Sequence, residues 1–158
     1  MAKTGYSIPQ SCVKLEIAPC AAGVCGSWTD ISGHFMSVSN TTQTRITAET
    51  QVFGDDTPII NGGKRTAVNP LFAGLYTEQP TDAFLAIAAK FEDEDCDDAR
   101  YCARWSPAGG AIGDKQYEVR CGVIQDFDYP GGEASEASPI PFSFSLFSDK
   151  IHRDTISS

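Results

Sequence analysis

Residues 140–146 read Ile-Pro-Phe-Ser-Phe-Ser-Leu. Ile140, Phe142, Phe144 and Leu146 fall on one alternating side, and Pro141, Ser143 and Ser145 on the other. A helix, with its period of about 3.6, cannot gather such a set onto one side; an extended strand with one buried face can. The same two-residue period recurs along the chain. Val13, Leu15 and Ile17 alternate with Lys14 and Glu16 in 12–18. In 43–53, Thr44, Ile46, Ala48, Thr50 and Val52 alternate with Gln43, Arg45, Thr47, Glu49 and Gln51. In 115–129, Tyr117, Val119, Cys121 and Val123 lie opposite Glu118 and Arg120. One segment departs from this period. Ala83, Phe84, Ile87, Ala88 and Phe91 form a single apolar stripe at helical spacing, so a helix is predicted over 81–92, with Thr81 as N-cap behind Pro80.

Between these segments the chain is punctuated by turn residues. A strand over 27–39 is interrupted near Gly33, and a long strand from Arg65 to Thr77 carries an edge or bulge at Pro70. "YCARWSP" reads as a strand, "AGGAIGD" as a turn, 139–148 as the last strand, and "DKIHRDTISS" as a mobile polar tail. The expected fold is mainly β: two packed antiparallel sheets, sandwich- or barrel-like, with about seven or eight strands and one flanking α-helix. No internal repeat or linker composition divides the 158 residues, so one domain over 1–158 is expected.

The chemistry-bearing residues are sparse. "NGGKRT" lacks the frame of a phosphate loop, and neither a G-x-G-x-x-G nor a G-x-S-x-G motif occurs. His34 and His152 are the two histidines, one on a strand and one in the tail, which leaves few options for a nucleophile–base pair. Asp126 and Asp128 read as a solvated or lumenal stripe on a strand, in a chain with 21 acids. The acidic run 92–98 lacks the spacing and central glycine of an EF-hand and reads as a solvated loop. No catalysis, cofactor or required metal is expected.

Six cysteines stand at 12, 20, 25, 96, 102 and 121. Neither C-x7-C-x4-C nor C-x5-C is the C-x2-C knuckle of many zinc sites. The plainest reading is free buried thiols; a local disulfide, Cys20–Cys25 or Cys96–Cys102, comes next, and zinc third. The net charge of −9 repels phosphate backbones and argues against tight nucleic-acid binding, while permitting a surface past which DNA slides. No apolar run is long enough for a signal-peptide core or a bilayer span, so a soluble product without membrane insertion is expected.

Two features concern surfaces. The face bearing Arg45, Thr47, Glu49 and Gln51 is polar throughout, as either a solvated sheet face or the wall of a water-filled channel would be. The connection "GDDTPIINGGKR" holds Ile59 and Ile60 side by side between turn signals, apolar surface that must be buried in the core or against another chain.

The ordered run of "GDDTPIINGGKRTAVNPLFAGLYTE", the helix "DAFLAIAAKFE", "RWSPAGGAIGDKQYEV" and "GVIQDFDYPGGEASEASPIPFSFSL" resembles the tail tube (major tail) proteins of long-tailed bacteriophages, over about residues 28–148. Residues 1–26, with three cysteines, and 149–158 lie outside the resemblance. The resemblance implies a structural subunit of the virion tail, assembled in the host cytoplasm into hexameric rings stacked as a tube. DNA would pass through the channel, and the partners would be further copies of the chain with tape-measure, tail terminator and baseplate proteins. On that reading Asp55, Asp56, Pro58, Ile59 and Ile60 are candidates for inter-subunit contact. Arg45, Thr47, Glu49, Gln51, Glu118 and Arg120 are candidates for the channel wall. The alternative is a monomeric β-sandwich binding module of a surface or virion assembly, with Trp28, Trp105 and Tyr129 as ligand platforms.

Overall fold

The computed structural model describes residues 7–79, 83–95 and 99–157. Among them are eleven strands and one α-helix. The main sheet runs in the order β2 (Val24–Cys25), β1 (Lys14–Ala21), β8 (Arg100–Ser106), β9 (Lys115–Asp128), β10 (Pro141–Phe147), β7 (Leu71–Leu75) and β4 (Phe35–Ser39). β3 (Thr29–Asp30) pairs with β1, and β11 (His152–Thr155) pairs with β9. β5 (Arg45–Thr50) and β6 (Ile59–Arg65) form a separate two-stranded sheet. Every pairing is antiparallel. The fold is therefore mainly β, with a large antiparallel sheet, a second small one and one helix, α1 (Ala83–Phe91).

Alternation selects the core. Leu15 and Ile17 of β1, Tyr101, Ala103 and Trp105 of β8, Phe72 of β7, and Phe142, Phe144 and Leu146 of β10 are buried together with Ile31. α1 adds Ala83 and Ile87 to this cluster. Phe84 of α1 meets Tyr76, Phe142 and Phe127 at ring-centroid distances of 4.7, 5.3 and 5.7 Å, and Phe91 stacks on Phe127 at 5.3 Å. The helix thus lies where its 3.6-residue stripe covers the aromatic end of β9 and β10. Lys90 in its last turn suits the negative end of the helix dipole. The expected cap Thr81 and Pro80 lie outside the described residues.

β9 carries the main departure from simple alternation. Between the pairs Tyr101↔Gly122 and Ala103↔Val119, two residues of β9, Arg120 and Cys121, oppose the single Cys102. Between Phe144↔Phe127 and Leu146↔Ile124, Gln125 and Asp126 oppose Ser145. These are β-bulges, and each reverses which parity faces the core. Tyr117 and Val119 face it first, then Ile124, then Phe127. The sequence expectation that Cys121 and Val123 continue the face of Val119 fails at the first bulge, where Cys121 has φ 50°. At the second, the Ser145 hydroxyl accepts the Asp126 N–H at 3.1 Å and donates to its carboxylate at 3.4 Å. Asp126 is therefore a structural partner of the bulge.

Two boundaries also differ from those the periodicity predicts. The stretch 65–77 is not one strand: β6 ends at Arg65 and β7 begins at Leu71, with Pro70 fully buried in the break. β7 receives β4 closely because residue 74 is glycine; a Cβ there would stand 2.8 Å from the His34 carbonyl oxygen. The C-terminal segment is not a mobile tail, since β11 pairs residue by residue with Lys115–Glu118. His152 lies opposite Glu118. Partial burial, with Arg120 and Lys150 nearby, lowers its pKa against a weaker opposing pull from Asp149 and Glu118.

Four of the cysteines are not free thiols. Cys20 bonds to Cys121 and Cys25 to Cys102, closing sequence separations of 101 and 77 residues. The local pair Cys20–Cys25 does not form, although the two are cross-strand neighbours in the β1–β2 hairpin. Cys12 is free and exposed, and Cys96 lies outside the described residues.

Candidate assembly surface

The β5–β6 ribbon follows from its sequence. β5 is rich in β-branched residues, and the two glycines at 62 and 63 allow close approach across the pair. A Cβ on Gly63 would meet the Ile46 carbonyl oxygen at 3.1 Å. The turn between the strands is set by Asp55, whose carboxylate accepts both the N–H and the hydroxyl of Thr57 at 3.1 Å. The Thr57 N–H, then its hydroxyl, holds the Asp55 pKa below its usual value. At the base, Gln43 donates to the carbonyl oxygens of Thr66 and Asp149 at 2.7 and 2.8 Å, anchoring the ribbon to the chain beyond β10.

Beyond that anchor every residue of β5 and β6 is exposed. Ile59 and Ile60 are 48% and 71% exposed, and Phe53 is fully so. The isoleucines therefore do not fill the subunit's own core. Ile46 and Val52, expected to face the core by alternation, are exposed as well. A two-stranded ribbon with both faces in water is marginal by itself, and this one displays a concentration of large apolar side chains. Asp55, Asp56 and Pro58 sit in its turn beside Phe53. Sequence reasoning passed over Phe53; its signal was a bulky aromatic placed directly before Gly54-Asp55-Asp56.

The candidates for a channel wall do not form one patch. Arg45, Thr47, Glu49 and Gln51 lie along the exposed ribbon, where Arg45 donates to the Gly63 carbonyl oxygen and Gln51 to Glu49. Glu118 and Arg120 lie on the main sheet, on the face turned away from the aromatic core. There Arg120 bridges Glu118 at 3.3 Å and Asp154 at 3.5 Å. Glu16 and Arg104 form a two-point pair beside them, both contacts at 3.2 Å, and Arg104 stands 4.2 Å from the Trp28 ring centre. The Glu118 side chain is only 12% exposed. This part of the outer face is thus built of paired charges. The aromatic platforms of the alternative reading are dispersed: Trp105 is buried in the main core, Trp28 packs against the cysteines, and Tyr129 lies on Phe127 with its hydroxyl donating to Glu92.

No family model and no curated protein matches the sequence. Solved structures do match. The sheath/tube terminator of an extracellular contractile injection system, PVC, superposes with a TM-score of 0.73 at 12% identity, over 97% of this chain and 100% of its own. The tube-terminating cap of the anti-feeding prophage gives 0.71 at 14% identity, over 98% and 95%. The SPP1 tail tube gives 0.60 at 13% identity, over 96% and 81%. At such identities the likeness is one of fold.

Proposed function

We propose that this chain, which has the fold of tail tube and tube-terminator proteins, is a structural subunit of a phage-type tail tube. Copies associate side by side into hexameric rings, the rings stack, and the channel conducts DNA. The observation that carries this reading is the β5–β6 ribbon: a hairpin exposed along both strands, with Ile46, Val52, Phe53, Ile59 and Ile60 on its surface. A second copy of the chain would supply the burial that the subunit itself does not. Head-to-tail contacts of this kind are heterologous, and when they repeat along an axis they give an open polymer. The unpaired edges of β5 and β6 would be covered in the same step.

The net charge of −9 suits passage of DNA without capture, because an acidic wall repels phosphates. The role is structural and not enzymatic. Its setting is the virion tail, with tape-measure, terminator and baseplate proteins as partners and assembly in the host cytoplasm. Negative-stain microscopy of the purified protein at high concentration tests the reading. Stacked rings or tubes are expected. Dispersed particles at every concentration would overturn it, and single rings that never stack would move the chain to a terminator role.

Assembled tubes also report on the channel wall. Thr47→Cys and Glu49→Cys, each made with Cys12→Ser, are expected to resist a maleimide carrying a polymer too bulky to enter the bore. They should react readily once the tubes are dissociated. Equal labelling in both states would put this ribbon face on the outside.

A further inference from the structure

Four cysteines converge on the outer face of the main sheet. β1 brings Cys20, β2 Cys25, β8 Cys102 and the bulge of β9 Cys121. On β8, Cys102 points opposite to Tyr101 and Ala103, which belong to the aromatic core. It packs instead with Ala18 and Cys20, and Cys25, Trp28 and Cys121 close the group. Cys20 and Cys102 are buried. The bulge is what admits the fourth sulfur, since without it Cys121 would share the parity of core-facing Val119.

The two disulfides abut. The sulfurs of Cys102 and Cys121, which belong to different bonds, lie 3.7 Å apart. Those of Cys20, Cys102 and Cys121 all fall within 4.8 Å of one another, and Cys25 is bonded to Cys102. In a tetrahedral site with metal–sulfur bonds of about 2.3 Å, neighbouring sulfurs stand about 3.8 Å apart. The Cys121 N–H points at the Cys102 sulfur at 3.2 Å, placed as an outer-shell donor to a sulfur ligand would be. The spacing Cys20-x4-Cys25 also falls within the range by which a turn supplies two ligands to one ion.

We propose that, once both disulfides are reduced, Cys20, Cys25, Cys102 and Cys121 form a tetrathiolate site for one zinc ion. The same four sulfurs then join β2, β1, β8 and β9 in either of two ways: as two disulfides where the surroundings are oxidising, or around one metal where they are reducing. Each disulfide takes two electrons and two protons from a dithiol, which leaves as its own disulfide, and four thiols result. Zinc binding releases up to four protons to solvent and leaves a centre with a net charge of about −2. Arg100, which donates to the Cys121 carbonyl oxygen at 3.0 Å, and Arg104, over Trp28, supply nearby positive charge. The Glu118 carboxylate, 4.0 Å from the Cys25 sulfur, opposes it. Soft thiolates select zinc over calcium or magnesium. The inference is independent of the tube reading.

The test uses the full chain, reduced anaerobically and freed of reductant, then titrated with Co2+ and afterwards with Zn2+. One Co2+ per chain is expected, with the intense visible absorption of a tetrahedral tetrathiolate centre, displaced by one equivalent of Zn2+. At a thousandfold excess of free zinc over Kd, the melting temperature of the reduced protein should rise by about 10 °C. If the reduced chain unfolds without metal, zinc should restore its folded circular dichroism. A Cys12→Ser/Cys96→Ser variant should keep the cobalt spectrum, and Cys102→Ser should lose its tetrathiolate form. A reduced, folded chain with no cobalt band would overturn the proposal. So would a band unchanged by Cys102→Ser, or a reduced chain that stays unfolded in zinc.

Discussion

Changing Ile59 and Ile60 together to aspartate is expected to abolish tube formation while leaving the subunit folded. The two isoleucines are exposed on a ribbon whose contact with the rest of the chain is concentrated at its base, through Gln43. Removing them takes nothing from the aromatic core. Each exposed substitution of this kind stays within about 0.5 kcal/mol, so the two together should move the melting temperature of the dispersed subunit by no more than about 4 °C. Assembly is another matter. Burying an isoleucine side chain at an interface contributes about 1.5–3 kcal/mol, and an aspartate in its place must be desolvated without a partner. A combined loss of about 4 kcal/mol per contact raises the concentration needed for polymerisation about a thousandfold. Sedimentation and negative-stain microscopy measure this. Normal tubes from the double variant would remove the ribbon from the interface; an unfolded variant would show that the ribbon supports the subunit itself.

Phe144→Ala should cost the subunit about 3–5 kcal/mol, whether or not it assembles. Phe144 is fully buried on β10, between β9 and β7. Its ring stacks on Phe72 at 5.2 Å and meets the edge of Phe35 at 5.9 Å, so it joins two strands of the main sheet. Truncation leaves a cavity that its rigid neighbours cannot fill. For a chain of this size the expected fall in melting temperature is about 10–15 °C. Phe147→Ala, on the same strand but 44% exposed, is the control and should cost about 1 kcal/mol or less. Thermal and urea unfolding with the disulfides intact make the comparison. A fall for Phe144→Ala no larger than that of the control would mean that this aromatic cluster does not hold the sheet together.

Much of what lies along single elements was legible in the order of residues alone. The alternation of Phe142, Phe144 and Leu146 marked β10 and the face that it buries, although Ile140, expected on the same face, precedes the strand and is 43% exposed; the helical stripe of Ile87, Ala88 and Phe91 marked α1. Both patterns are local, because a strand or helix presents its side chains at a fixed period whatever it packs against. The adjacency of Ile59 and Ile60 likewise marked apolar surface in need of cover. Which surface would cover it was not legible, because alternation in β5 looks the same on a core strand and on an exposed ribbon. Only the tertiary structure showed Ile46 and Val52 to be exposed. It alone paired Cys20 with Cys121 and Cys25 with Cys102 across the sheet. Those partners meet because β1 lies beside β8 and β8 beside β9, and because a bulge in β9 turns Cys121 to the outer face. Strand order and bulges arise from contacts between distant segments, and no period read along one segment carries them.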